Sequence, residues 1–434
     1  MQQIRKRPLI ALLAALGAAI HGGTALLRLS TFWPYPHTVD FASFYVGAWA
    51  TRLHTSIYPF SADLLDLLKA EQGLTVSPAV LNSFPIWPWL LQPLTLVTFP
   101  AAAWIWLCFN LALLVWITGR LAQTAQLTGG WTLLVLFGVV LTFGPVMLTL
   151  TLGQSSIWLT ALSLWLGRRL AQTQLSASSE RSTVIDIIGW IGAVSTKLFP
   201  VLWGAGFVVL QRWRSLWGAV AAALAFVGVH LLFLRQTTLV YLTEFLPSRT
   251  QVFSTGAFVD DQSLLAWLSR MTQPALVTVS GVSATEQTAV IWQPALAIPA
   301  PVVQIVGVGV LALLGVAVIY TIRRARPAAH ESAFYLWILF CLLPFPHTER
   351  YNHTLLLPGM AVLWAQGARG QRMAAAAYFL AALSRLTHLW AQILPSPLAS
   401  LLSGSGLFAV CVLMWGIWRT HPRANTQDAL TRAP

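Results

Sequence analysis

Four groups of side chains in this sequence have the types and spacing to do chemistry. Asp40 stands in Thr38-Val39-Asp40-Phe41-Ala42-Ser43-Phe44-Tyr45, just after the first apolar stretch. A carboxylate there can cap the helix expected to begin near Phe41. Fixed at that point, it can also accept a proton from a substrate hydroxyl. Gly153-Gln154-Ser155-Ser156 is a polar break at the start of an apolar run. It reads either as a cap and turn or as an amide and a helix N-terminus facing a polar ligand.

Lys197 lies in the run from Val184 to Leu210, whose only other charge is Asp186. Its ammonium either snorkels to an interface or faces an anionic phosphate that offsets its desolvation. The fourth group is Pro344-Phe345-Pro346-His347-Thr348-Glu349-Arg350-Tyr351-Asn352-His353, between two apolar runs. It is too short to extend far into water. His347 or His353 there could bind phosphate or assist a leaving group. Their spacing is no recognised ligand pattern, so no metal is expected.

The elements that position these groups must be membrane helices. Apolar residues make up 57% of the chain, charged residues 9%, and the mean hydropathy is +0.69. So few charges cannot cover a soluble protein of 434 residues. The formal charge of +13 is nearly all arginine, in short clusters at the ends of apolar runs. These are Arg5-Lys6-Arg7, Arg168-Arg169, Arg212-Trp213-Arg214, Arg323-Arg324-Ala325-Arg326, and Arg369 with Arg372. That is the positive-inside pattern and a match to anionic membrane lipids, and it excludes nucleic acid as the partner. Cys108, Cys341 and Cys411 all fall in apolar runs and read as small buried hydrophobes, without disulfide or metal spacing.

Residues 8–27 read as an uncleaved first span. Residues 30–83 form a first outer loop with two short amphipathic helices, near 41–53 and 61–71, the second capped by Ser61. Apolar runs follow near 84–99, 101–119, 131–150 and 154–170. The positions of the arginines require one of these four not to cross, and the prolines at 85, 88, 93, 100 and 145 mark where. The same argument predicts two helices over 185–210, turning near Ser195–Pro200. After a run at 217–234 comes a second outer segment, 235–299, and then runs near 301–322, 332–346, 352–367, 373–392 and 400–418. The expected fold is an all-α polytopic bundle of about 12 transmembrane helices, one domain over residues 1–418, with a cytoplasmic tail at 419–434. No internal repeat of the transporter kind is present.

The order of these motifs resembles glycosyltransferase family 87, membrane mannosyltransferases of the GT-C superfamily. Asp40-Phe41 with Phe44-Tyr45 is similar to that family's first-loop acidic motif, and Tyr58-Pro59 to a following Tyr-Pro position. Phe84-Pro85-Ile86-Trp87-Pro88 with Gln92-Pro93-Leu94, Gly153-Gln154-Ser155, Lys197-Leu198-Phe199-Pro200 with Arg212-Trp213-Arg214, and Asp261-Gln262-Ser263-Leu264 take the places of later motifs. The likeness runs over roughly residues 8–370. Two positions depart from the pattern: Asp261 stands where Asn is commoner, and Tyr351-Asn352-His353 replaces a simple His pair.

The resemblance implies a polyprenyl-phosphate sugar donor, no nucleotide sugar and no cofactor, a lipid or glycan acceptor, and a multi-pass protein of the bacterial inner membrane with its site facing outward. It implies inverting transfer with Asp40 as general base. Lys197, His347, Arg350 and His353 would bind the donor phosphate, and Tyr45, Gln154, Gln262 and Glu349 the sugar or acceptor. A lipid-linked-sugar flippase or secondary transporter is the alternative reading. It would move substrate without forming a glycosidic bond and would tolerate change at Asp40.

Overall fold

The computed structural model describes residues 8–33, 36, 38–79, 81, 83–172, 179–248, 261–273, 275–280, 287–292, 296–325, 329–345 and 348–420. Among the described residues, four helices are long and apolar enough to cross a membrane: Pro8–Leu27, Phe99–Thr124, Trp213–Phe233 and Ala300–Arg323. The 26 residues of Phe99–Thr124 extend about 39 Å at 1.5 Å per residue, more than the hydrocarbon thickness. Two bent pairs raise the number to six. Gly130–Thr142 meets Gly144–Leu152 at 62°, where Pro145 cannot continue a straight helix, and Pro397–Ser403 meets Ser405–Thr420 at 46°.

Straight spans among the described residues thus account for only part of the twelve or so crossings expected. The difference lies in apolar runs that the structure divides. Residues 84–99 make only the five-residue helix Ile86–Leu90 and the 3-10 turn Gln92–Leu96, too short to cross. Residues 352–367 divide into the 3-10 helix Arg350–Leu355 and the helix Leu356–Ala365. Residues 373–392 divide near Ser384. Hydropathy registers apolar content, not straightness, and a segment enclosed by other helices can break because neighbouring protein satisfies its backbone. The run 185–210 divides as expected, into Ser179–Thr196 and Val201–Val209.

Two cores hold the molecule. The larger fills the bundle among helices such as Ser156–Gln172, His330–Cys341, Leu356–Ala365 and Ser405–Thr420. The smaller belongs to the first long polar segment. There Val39–Arg52 and Ala62–Gln72 form the two expected helices, with the Ser61 side chain accepting from Leu64 N–H and Gly73 closing the second at φ 68°. Their apolar faces gather Phe41, Phe44, Tyr45, Leu64 and Leu68 against Trp87, Phe99, Trp106 and Tyr241. A two-stranded antiparallel hairpin, Ala275–Ser280 with Gln287–Trp292, departs from the all-α expectation.

Cys341 is buried, but Cys108 and Cys411 are exposed on the helix bundle. This corrects the expectation that all three are enclosed. A face turned to lipid is as apolar as one turned inward, so composition does not separate them.

Tyr58 ties the small core together. Its hydroxyl donates to Ser83 O at 2.7 Å, and its ring packs on Tyr241 and Phe245. Burial, with Tyr241 beside it, pushes the phenol well above its usual pKa, so it stays a donor. Tyr58→Phe leaves a buried carbonyl without that donor and is expected to destabilise the fold by about 1–3 kcal/mol. Thermal unfolding of the detergent-purified protein measures this as a lowered Tm.

Candidate active site

The site sits at the seam between the two cores, where several helices end together. The helix carrying Asp40 begins at Val39 with Thr38 in the cap position, and the Thr38 side chain makes no capping bond. Asp40 therefore lies in the first turn rather than at the cap, correcting the sequence expectation. A carboxylate in that turn is stabilised as an anion by the exposed N–H groups and the helix dipole. Asp40 is half-buried, while Phe41 beside it is fully enclosed between Phe99 and Trp106.

This turn presses on the polar break at residues 153–156. Gly153 ends the helix Gly144–Leu152 with φ 73°, in the left-handed region where only glycine is unstrained. A Cβ there would lie 2.5 Å from the Phe41 Cβ and 2.8 Å from the Thr38 Cβ. The Gly153 carbonyl accepts from the Trp106 indole at 2.9 Å. Gln154, half-buried, follows, and the next helix begins at Ser156.

Lys197 reaches the same break from the opposite side, just past the end of Ser179–Thr196. Its Nζ donates to Asn352 Oδ1 at 2.8 Å and to Ser156 Oγ at 3.2 Å, and lies 3.9 Å from the centroid of the Tyr351 ring. Ser156 Oγ also donates to Asn352 Oδ1, at 3.1 Å. The carboxylates of Glu349 and Asp40 both act electrostatically on this ammonium.

The late segment forms the rest of the wall. Asp261 and Glu349 form an isolated antiparallel bridge, and Gln262 N–H donates to Thr348 O at 2.8 Å. Asp261 Oδ1 accepts from Ser263 N–H at 2.9 Å, so its carboxylate shapes the start of the helix Leu264–Thr272. Arg350 is buried and donates to Ser384 O at 2.7 Å. His353 is fully enclosed, and among the described residues neither of its ring nitrogens has a hydrogen-bond partner. Its ring and the Gln262 amide pack so closely on Gly406 that an added Cβ would meet them at 2.7 Å and 2.8 Å.

Of the residues named from sequence, Asp40, Gln154, Lys197 and Glu349 thus converge on one region, with Gln262, Arg350 and His353 enclosed behind it. Tyr45 is turned elsewhere. It lies about 140° around the helix from Asp40, and its hydroxyl donates to Val97 O at 2.7 Å. His347 lies outside the described residues. Sequence reading missed Ser156, Tyr351 and Asn352 as partners of Lys197. The departure at 351–353 from a simple His pair was the available signal. It also missed Arg28, buried at the end of the first helix, with Nη1 3.1 Å from Thr151 Oγ1 one turn from the break.

Below the break, an open groove of about 350 Å³ runs between Phe99–Thr124 and Ser156–Gln172. Its lining is wholly apolar, with Phe109, Trp116, Trp158 and Trp165 the largest contributors. The rings of Trp106, Phe109 and Trp158 form a continuous series from the Gly153 carbonyl into it.

The helix ends of this membrane bundle thus bring a carboxylate and an ammonium together beside an apolar groove. The family model for glycosyltransferase family 87 matches residues 85–346, more than half of the chain, and the protein belongs to that family. It is a membrane glycosyltransferase. The matched stretch contains Gln154, Lys197 and Gln262 but neither Asp40 nor residues 349–353. No curated protein and no solved structure matches the chain.

Gly153→Ala forces a Cβ into the turn that carries Asp40. The expected outcome is a loss of about 1–3 kcal/mol in stability and a fall in transfer activity larger than the unfolded fraction explains. Thermal unfolding and a transfer assay on the same preparation compare the two.

Proposed function

We propose that this protein is an inverting glycosyltransferase that moves a sugar from a polyprenyl-phosphate donor to a hydroxyl of a lipid or glycan acceptor. The observation that carries the reading is the juxtaposition of Asp40 and Lys197 across the Gly153–Ser156 break, close enough for each charge to feel the other. A base and an anion-stabilising cation on either side of one break are the two groups a single displacement needs.

In this mechanism Asp40 takes the proton of the acceptor hydroxyl as its oxygen bonds to the sugar C1. The bond from C1 to the phosphate oxygen breaks on the opposite face, which inverts the anomeric centre. Polyprenyl phosphate departs with the electron pair, already a stable anion, so it needs charge stabilisation more than protonation. Lys197 supplies that stabilisation. Arg350 and His353 would add positive or polar character behind it, and Gln154, Gln262 and Glu349 would shape the sugar and acceptor positions.

The apolar groove beginning beside Trp158 supports a donor with a long hydrocarbon tail, since it opens one turn from Ser156. Mannose as the sugar rests on the family resemblance. The arginine distribution supports a site on the outward face of a bacterial inner membrane.

Incubating the purified protein with polyprenyl-phosphate sugars and native lipid extract should give mass-shifted lipids by mass spectrometry. Asp40→Asn should lower the rate by about 10²–10⁴-fold while the protein still folds. Full activity of that variant, or movement of donor across vesicles without a new glycosidic bond, would sink the assignment and favour a flippase. Lys197→Met should raise the donor KM by at least about tenfold, with Lys197→Arg falling between the two. Steady-state kinetics with varied donor measure it.

A further inference from the structure

We infer that Asn352, with Ser156 and the Tyr351 ring, forms an uncharged cradle that aims the Lys197 ammonium at the anionic group of the donor, and that Asn352 must be neutral for the donor to bind. The inference rests on the reading of Lys197 as the donor's anion-binding group.

An ammonium has three N–H donors and no acceptor. Here its hydrogen bonds go to two neutral oxygens, the Asn352 amide at 2.8 Å and the Ser156 hydroxyl at 3.2 Å, and a π-face lies at 3.9 Å. Each of these solvates the cation without cancelling its charge. A fold that needed only a quiet lysine at this depth would set a carboxylate in hydrogen-bond contact with it, since a buried ion is far cheaper when paired. Glu349 and Asp40 act on Lys197 through their fields, while the atoms that accept its protons are neutral. The countercharge at contact distance is left for the ligand to bring.

The cradle is also held from behind, as preorganised groups are. Asn352 N–H donates to Glu349 O at 2.8 Å, and the side chain is buried. Thr354 Oγ1 donates to the Ser156 carbonyl at 3.1 Å, and Thr160 Oγ1 to Thr354 Oγ1 at 2.7 Å. Thr149 Oγ1, which donates to Pro145 O at 2.8 Å, lies 3.5 Å from the Tyr351 carbonyl. The acceptors are thus fixed by three separate segments, around Thr149–Thr160, Lys197 and Tyr351–Thr354. Asn352 touches the ammonium rather than the reacting atoms, so its role is positioning.

The test separates charge from shape. Asn352→Asp keeps the size of the side chain and an oxygen for Lys197, but places a countercharge where the donor phosphate must compete. Asn352→Ala removes the hydrogen bond and adds no charge. Binding of polyprenyl phosphate to the detergent-solubilised full chain, and donor KM and kcat, are measured for both alongside Tm. The expected result is that Asn352→Asp holds or raises Tm yet weakens binding and raises donor KM by at least about tenfold. Asn352→Ala should lower Tm and weaken binding less, and kcat should move less than KM in each. A structural asparagine predicts the reverse order, with Asn352→Asp the better tolerated. Binding by Asn352→Asp equal to wild type overturns the inference while leaving the donor reading intact. A wild-type protein that binds no polyprenyl phosphate overturns the donor reading, and this inference with it.

Discussion

A half-buried ammonium inside an apolar bundle is the constraint on which this structure turns. Lys197 can stay charged there only if protein atoms replace its water. Those atoms come from places where helices stop. Unbroken membrane helices consume their own backbone polar groups and expose apolar side chains, so they have little to offer a cation. The breaks at Gly153–Ser156, Lys197–Pro200 and Glu349–Leu355 supply hydroxyls, an amide and a ring face together. The broken helices that lower the number of straight crossings are the same ones that build the site.

The polar end is fixed by contact with a second, separately packed core. The first long polar segment encloses Phe41, Phe44 and Tyr45 against Trp87, Phe99 and Trp106, so the turn bearing Asp40 is held by aromatic packing rather than by a capping bond. Gly153 is the hinge pin of that contact, because its missing side chain is what lets the two cores meet.

Much of this was legible in the sequence. Charge scarcity fixed the membrane class, and polar residues inside apolar runs drew attention to Gln154 and Lys197. The division of residues 185–210 followed from the arginines on either side of it. What was not legible depends on direction rather than composition. Whether an apolar run is straight, whether Cys108 faces lipid or protein, and which way Tyr45 turns are all invisible to hydropathy. Asp40 read as a cap because Asp favours that position, yet the helix starts two residues earlier than the apolar pattern indicates. The pairing of Ser156 with Asn352 escaped notice because each is an ordinary residue until the other is brought within 3.1 Å of it.

Gly406, on the helix Ser405–Thr420, has a consequence for how the protein comes into being. It gives His353 and Gln262 their room, and it lies 366 positions beyond Asp40 in a chain of 434 residues. The site therefore draws on almost the whole length of the polypeptide. A nascent chain inserts its helices one after another, yet His353 and Gln262 lack their neighbour until the helix Ser405–Thr420 has left the ribosome and docked. The candidate site therefore stays incomplete through most of synthesis.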